Sequence, residues 1–366
     1  MIQWRSGVVA AVVARWAGAV EYAVELGAGA SVRAIGYVEL LGELPVGATV
    51  LLNTTALERG LGTGGLAVVI ASPDHVPPPV ADVRAVPGHL VKARYTPSQT
   101  MVLGVDEQDS VHHPLLADAD TLGRLPVVVA DLHSALPAVV AGLRADAPEA
   151  RVAYVMTDGG ALPLALSRTV AALREAGWLA ASITVGQAFG GDLEAVNVHT
   201  GLLAARHVVA ADVAVVAQGP GNLGTGTRWG FSGTSAGEAV NAAATLGGCP
   251  VCALRVSEAD PRERHRGLSH HSHTAYGRVA LVPADVPIPL LPGPFGERLR
   301  AEAATLCAAS GGRLTAHDVP VAGLEEALRA APVRLSTMGR GYDEDRASFL
   351  SGAAAGRFAA RLLAGG

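Results

Sequence analysis

The sequence predicts an α/β protein in which a small N-terminal β-barrel precedes a doubly wound, mostly parallel sheet domain. Three observations carry this reading. Five β-rich runs crowd the first seventy-odd residues, a proline-dense stretch follows them, and from residue 89 short apolar β-branched runs alternate with segments compatible with helices. The division is residues 1–72 for the barrel, 73–88 for a linker, and 89–366 for a Rossmann-like domain closed by a C-terminal helix.

The five runs of the barrel are Gly7–Val13, Val20–Leu26, Ser31–Tyr37, Thr49–Asn53 and Leu66–Ala71, with breaks such as Leu26-Gly27-Ala28-Gly29 between them. Asn53-Thr54-Thr55 and Gly62-Thr63-Gly64-Gly65 read as structural turns. Pro73, Pro77, Pro78, Pro79 and Pro87 forbid a helix across the linker. Beyond it, strands are expected at Pro126–Ala130, Arg151–Met156, Ala181–Val185, Val213–Ala217, Pro250–Val256 and Arg278–Val282. These runs are apolar throughout, as strands covered on both faces require. Helices are expected at His133–Leu143, Pro163–Ala176, Val196–His207 and Ser235–Leu246, and Asp343–Leu363 closes the chain with helical spacing.

Composition narrows the function. Half of the 366 residues are apolar, so a sizeable core is available and global disorder is excluded. Only 4% are aromatic, so that core is built from Ala, Val and Leu. A net charge of −5 argues against nucleic acid or an anionic membrane surface as partner. Three cysteines are too few for a disulfide scaffold; Cys249 and Cys252 enter a strand on opposite faces and read as small hydrophobes. No uninterrupted apolar stretch of membrane-spanning length and no signal peptide is evident, which makes a cytoplasmic protein the expectation. Lys92 is the only lysine and reads as a surface or strand-edge residue.

Ligands of open α/β sheets bind beyond the carboxyl ends of the strands, so the residues that follow each strand are the candidates. They are Asp131-Leu132-His133-Ser134, Thr157-Asp158-Gly159-Gly160, Gly186–Asp192, Gln218–Thr227 and Ser257–Asp260. All are small and polar, and together they predict one polar rim. Asp106–Asp109 with His112 and His113 either joins that rim or is a solvated acidic loop.

Gly219-Pro220-Gly221-Asn222-Leu223-Gly224 matches the G-x-G-x-x-G pattern, and Gly226, Gly230 and Gly233 continue it. Such glycines let backbone amides approach an anion, so Gly219, Gly221, Asn222, Gly224, Thr225, Gly226 and Thr227 form the candidate cradle, with Arg340 as a further anion grip. The alternative is a loop packed tightly on neighbouring backbone. A dinucleotide fingerprint would sit in the first βαβ unit with its helix starting inside the motif, and here neither holds.

His265, His270, His271 and His273 lie within nine residues. In an extended chain His271 and His273 face one way and His270 the other. Asp131, His133, His271 and His273 then form a nitrogen and oxygen shell suited to a divalent metal, and Asp131, His133, Asp158 and His271 are the candidate catalytic groups. His271 or His133 acting as a general base without metal is the alternative.

The runs Val129–Ser134, Thr157–Gly160, Gly219–Gly233, Ser269-His270-His271 and Ser336–Arg340 together resemble a family of uncharacterised bacterial proteins, found in actinobacteria and some Firmicutes. That family is catalogued only as a domain of unknown function. The resemblance spans nearly the whole chain and implies a bacterial, cytoplasmic protein without assigning a reaction to any position. The residues themselves predict an enzyme acting on a small anionic metabolite, nucleotide-like ones included, with metal-assisted hydrolysis the best fit. Alternatives are a ligand-binding sensor or assembly protein and a nicotinamide-dependent oxidoreductase; oligomeric state is left open.

Overall fold

The computed structural model describes residues 2–62 and 64–365; Thr63 of the predicted Gly62–Gly65 turn lies outside them. The five N-terminal runs form strands β1 (Trp4–Trp16), β2 (Ala19–Gly27), β3 (Ala30–Tyr37), β4 (Thr49–Asn53) and β5 (Ala67–Ala71). They close into a barrel in the order β1-β2-β3-β5-β4. Closure needs β1 to bend from β4 onto β2, and two irregularities in the β1–β2 register, at Val9/Ala11 and Val12/Ala14, mark the bend. Alternate residues fill the barrel: Val20, Tyr22 and Val24 from β2 meet Val50 and Leu52 from β4, and the Tyr22 hydroxyl accepts from the Leu44 amide at 2.9 Å.

Residues 72–89 contain no strand and only a single 3-10 turn, Val83–Ala85. A short hairpin, Leu90–Lys92 with Thr100–Val102, then leads to an eight-stranded parallel sheet. Its strands are β6 (Pro126–Ala130), β7 (Val152–Thr157), β8 (Ala181–Val185), β9 (Leu193–Ala195), β10 (Val213–Gln218), β11 (Cys249–Ala253), β12 (Ala284–Pro289) and β13 (Leu314–Val319). Their spatial order is β9-β8-β7-β10-β6-β11-β12-β13.

Period-two alternation sorts each strand's side chains between two apolar layers. On one face Val128, Tyr154 and Val215 pack on α1 (Leu136–Asp146), α2 (Arg168–Glu175) and the last helix, α8 (Arg346–Ala364). On the other, Val129, Val155 and Val216 pack on α3 (Val198–His207), α4 (Ser235–Thr245) and α6 (Gly293–Ala309). The short α5 (His270–Thr274) lies between α4 and α6 in the chain, and α7 (Leu324–Arg329) packs beside α1 and α8. The α1–α8 contact is close because both helices carry glycine there: a methyl on Gly142 would fall on the Ala353 backbone, and one on Gly356 on the Val139 carbonyl.

The topology fixes where a site can form. From β6 the chain leaves through α1 on one face toward β7; from its neighbour β10 it leaves through α4 on the opposite face toward β11. The carboxyl ends of β6 and β10 therefore flank the switch point, where the outgoing chains diverge and open a crevice.

Several elements differ from the sequence reading, which also left β9, α6 and α7 unassigned. Arg278–Val282 is not a strand: Ala275–Val279 continues α5 as a π-helical turn, and Val279 packs where Gly237 of α4 leaves room. The strand on that side is β12, whose Pro287 and Pro289 disguise it, and β13 is an edge strand too exposed to show a continuous apolar run.

The barrel rests on the segment after β7. Trp16 Nε1 donates to the Ala165 carbonyl at 2.6 Å, and the Arg168 guanidinium stacks 4.2 Å from the Trp16 ring centroid. Glu21, fully buried, pairs with Arg168 of α2 and with Arg33 of its own barrel.

Candidate functional site

Asp131 directly follows β6 and is buried. Its backbone carbonyl accepts from Gln218 Nε2 at 2.7 Å, which ties the ends of β6 and β10 together across the switch point. Gly233 passes so close that a Cβ there would sit 3.0 Å from the Asp131 Cβ. Facing the Asp131 carboxylate are His271 Nδ1, 3.3 Å from Oδ2, and Arg255 Nη1, 3.8 Å from the same oxygen.

The segment after β11 brings in the histidines. Val256–Ser257 pairs with Gly267–Leu268, and Ser272 Oγ accepts from the Arg255 amide at 2.9 Å, so the intervening loop folds back over the sheet end. Ser269 caps α5, its Oγ accepting from the His271 amide at 3.2 Å while bonded to His265 Nδ1 at 2.7 Å. This places His265, His270 and His271 in one cluster, with one ligand nitrogen from each within 4.8 Å of the others. His270 Nε2 is buried without a partner among the described residues. Phe231, from the root of the glycine loop, stacks on His271 at 3.7 Å between centroids and nearly parallel, 8° apart.

Burial, reinforced by the neighbouring arginines and imidazoles, lowers His265 to about 3 and His270 to about 4. Both are therefore neutral at pH 7, the form that ligates a metal. At His271 Nδ1 two contacts compete. Arg255 Nη1, 2.9 Å away, can only donate and wants a lone pair there, whereas the Asp131 carboxylate wants a proton. With the proton on Nδ1 and donated to Asp131, His271 would keep its Nε2 lone pair, the tautomer that could serve as a metal ligand. His265, held at Nδ1 by Ser269, likewise keeps Nε2 available.

The structure redistributes several predicted site residues. His133 turns to the other face, its Nδ1 3.0 Å from the Tyr154 hydroxyl and its Nε2 2.7 Å from Ser167 Oγ, so it does not reach the Asp131 carboxylate's shell. Burial lowers it to about 4. Asp158 caps the turn after β8, accepting from the Gln187 amide at 2.8 Å. His273 stands outside the three-imidazole group, because residues 270–274 are helical rather than extended. The helix reverses the expected pairing and turns His270 inward. Arg340 is held by Asp345 at 3.0 Å and Asp260 at 3.3 Å, so its guanidinium is engaged by carboxylates rather than presented to a ligand.

The glycine loop divides into two parts. Gly219 is packed at the strand end, where a Cβ would sit 2.5 Å from the Ala161 carbonyl, and Asn222 locks the root by accepting from Ser232 Oγ at 2.7 Å and Gln218 Nε2 at 3.2 Å. Gly221, Gly224, Thr225, Gly226 and Thr227 form the exposed part, where the two threonine hydroxyls bond each other at 3.1 Å. The tight-packing reading holds at the root, and the open amides begin only beyond it.

Lys92 is not a surface residue. It is 1% exposed, its ammonium donates to the carbonyls of Gly186, Ala188 and Ala195, and it lies 3.2 Å from Glu194. It ties the Leu90–Val102 hairpin to the ends of β8 and β9. Glu107 of the acidic segment is taken up locally by His89 and the Gly104 amide. Arg255 and Phe231 escaped the sequence reading; a charge breaking the apolar run Cys252–Val256 is the signal that points to Arg255.

A family model described as "Protein of unknown function (DUF3866)" matches residues 33–356. The chain belongs to the DUF3866 family. No curated protein and no solved structure matches it. The DUF3866 match takes in every strand of the sheet and all of the histidine cluster, and it attaches no chemistry to them. No helix of the described residues is long and apolar enough to cross a membrane.

Proposed function

We propose that the chain is a metal-dependent hydrolase acting on a small anionic metabolite. His265, His270 and His271 hold the ion, and Asp131 orients His271 through Nδ1. The observation that carries this reading is the convergence of three imidazoles, two of them kept neutral by burial, at the sheet's switch point and against a buried carboxylate. Three nitrogen ligands suit zinc and leave a fourth position for water, the arrangement of catalytic rather than structural sites. An ion held by His265, His270 and His271 would supply an activated water for cleavage of an ester or amide bond. Arg264, which has no ion pair among the described residues and whose charge reaches His270, favours an anionic substrate. A nicotinamide site is less well supported, because α4 begins only at Ser235, well beyond the glycine motif.

The test is elemental analysis of protein purified without a histidine tag, before and after exposure to zinc and chelator. About one ion per chain is expected, lost in a His270→Ala variant that remains folded by circular dichroism. Substoichiometric metal in the wild type after zinc loading, or equal metal in the variant, would overturn the assignment. A stabilising anion recovered chemically unchanged from metal-loaded protein would make it a sensor.

A further inference from the structure

We infer that the tip of the glycine loop, Leu223–Gly230, forms with Arg264 a recognition site for a phosphate monoester that carries a flat ring. The inference rests on the hydrolase reading above and names its substrate class. The loop tip is folded on itself: Gly224 bridges Phe231, the Thr225 amide donates to the Gly230 carbonyl at 2.7 Å, and the Ser232 amide to the Leu223 carbonyl at 3.0 Å. Four amides at its turn, those of Gly226, Thr227, Arg228 and Trp229, find no acceptor among the described residues. Consecutive unpaired amides around a glycine of positive φ are an anion-binding concavity, and Gly226 has φ 80°.

A second observation marks the same place. The Arg264 guanidinium lies over Gly226, with Nη2 3.7 Å from where a Cβ would stand. Its neighbours are tied up: Arg262 pairs with Asp260, Arg340 with Asp260 and Asp345, and Arg255 faces Asp131. Arg264 makes neither an ion pair nor a side-chain hydrogen bond with the described residues. Like Arg228 of the loop tip itself, it is left without a carboxylate partner among the described residues and is available to a ligand, and its charge reaches His270. A planar guanidinium from one side and several amides from another serve more oxygens than a carboxylate has, which favours a phosphoryl group.

The ring follows from the apolar surface beside that anion site. Trp229 is 56% and Leu223 69% exposed, although both stand on a loop that is anchored at its ends. The anchors are the site itself: Phe231 stacks on His271, and the Arg228 carbonyl accepts from Thr274 Oγ1 of α5 at 3.2 Å. An indole presented next to a phosphate site is a stacking platform for a base.

The experiment is equilibrium binding to zinc-loaded full-length protein, with adenosine monophosphate, ribose 5-phosphate, inorganic phosphate and adenosine as probes. Adenosine monophosphate should bind at least about tenfold more tightly than either adenosine or ribose 5-phosphate, because each lacks one of the two contacts. Arg264→Gln should weaken all three phosphates about tenfold. Trp229→Ala should weaken adenosine monophosphate about tenfold and leave inorganic phosphate within about twofold. Zinc content measured on the same samples separates the two readings. Metal-loaded protein that binds adenosine no less tightly than its monophosphate, or that is unaffected by Arg264→Gln, overturns the recognition site and leaves the metal assignment standing. Protein that takes up no zinc yet shows the predicted probe pattern overturns the metal assignment and leaves the recognition site.

Discussion

Acidifying the metal-free protein should destabilise it steeply, and the histidines of and around the site set the magnitude. His133 and His270 titrate near 4 and His265 near 3 in the folded chain, against 6.5 for an unperturbed histidine. Between those values only the unfolded state takes up the proton, so stability is intact above pH 6.5 and falls as the pH drops toward 4. Integrated from pH 8 to pH 5, the linkage amounts to about 2 kcal/mol for each well-buried histidine. His270 is partly exposed and counts for about half of that after solvent screening. The three together give about 5 kcal/mol, a large share of the 5–15 kcal/mol that holds a typical domain folded. Urea unfolding followed by far-ultraviolet circular dichroism at pH 8, 6.5 and 5 measures it directly. His133→Gln preserves a polar bridge toward Tyr154 and Ser167 without titrating, and should remove about 2 kcal/mol of the pH dependence. A total change below about 1 kcal/mol, or a variant with undiminished pH dependence, would refute the claim that these imidazoles are buried neutral.

The other expectations are independent of that one. Asp131→Asn keeps the shape but loses the charge that selects the Nδ1 proton of His271, and should weaken zinc binding about 10–100-fold in a competition titration against a chelating dye; unchanged affinity would show that Asp131 does not orient the ligand. Lys92→Met leaves Glu194 buried without its cation and should cost about 3–5 kcal/mol in denaturant unfolding at pH 8. The Lys92→Met/Glu194→Gln pair should recover part of that loss, and no recovery would mean that the three carbonyls, not the ion pair, dominate. Gly356→Ala drives a methyl onto the Val139 carbonyl and should cost about 3 kcal/mol or more, because α1 and α8 must part; a neutral effect would mean that the helices are less tightly apposed.

The barrel and most of the sheet were legible because their signals are local. Gly7–Ala71 alternates strand runs with glycine breaks, and Pro126–Ala130 and Val213–Ala217 are apolar without interruption because helices cover both faces. Where a strand lies at an edge or carries proline the signal fails, as it does in β12 and β13. The rim was legible for the same reason: in a parallel sheet every strand ends on one side, so the small polar junctions must gather there. Which of those residues meet was not legible, since it depends on direction rather than position. Asp131 and His133 are two residues apart, yet the 3-10 turn His133–Ala135 sends His133 to the α2 face while Asp131 looks toward α5. One wrong local conformation had a similar effect. An extended 270–273 pairs His271 with His273, whereas a helix opened by the Ser269 cap puts His270 and His271 on the first turn and lets the preceding 3-10 turn deliver His265. The cap was there to be read: a serine ahead of a run of three histidines and a serine favours a helix start over a strand. The histidine cluster is therefore specified by a short-range device, Ser269, and by a long-range one, the β6–β10 divergence at whose edge Asp131 meets His271. Only the first of these is visible in a single sequence.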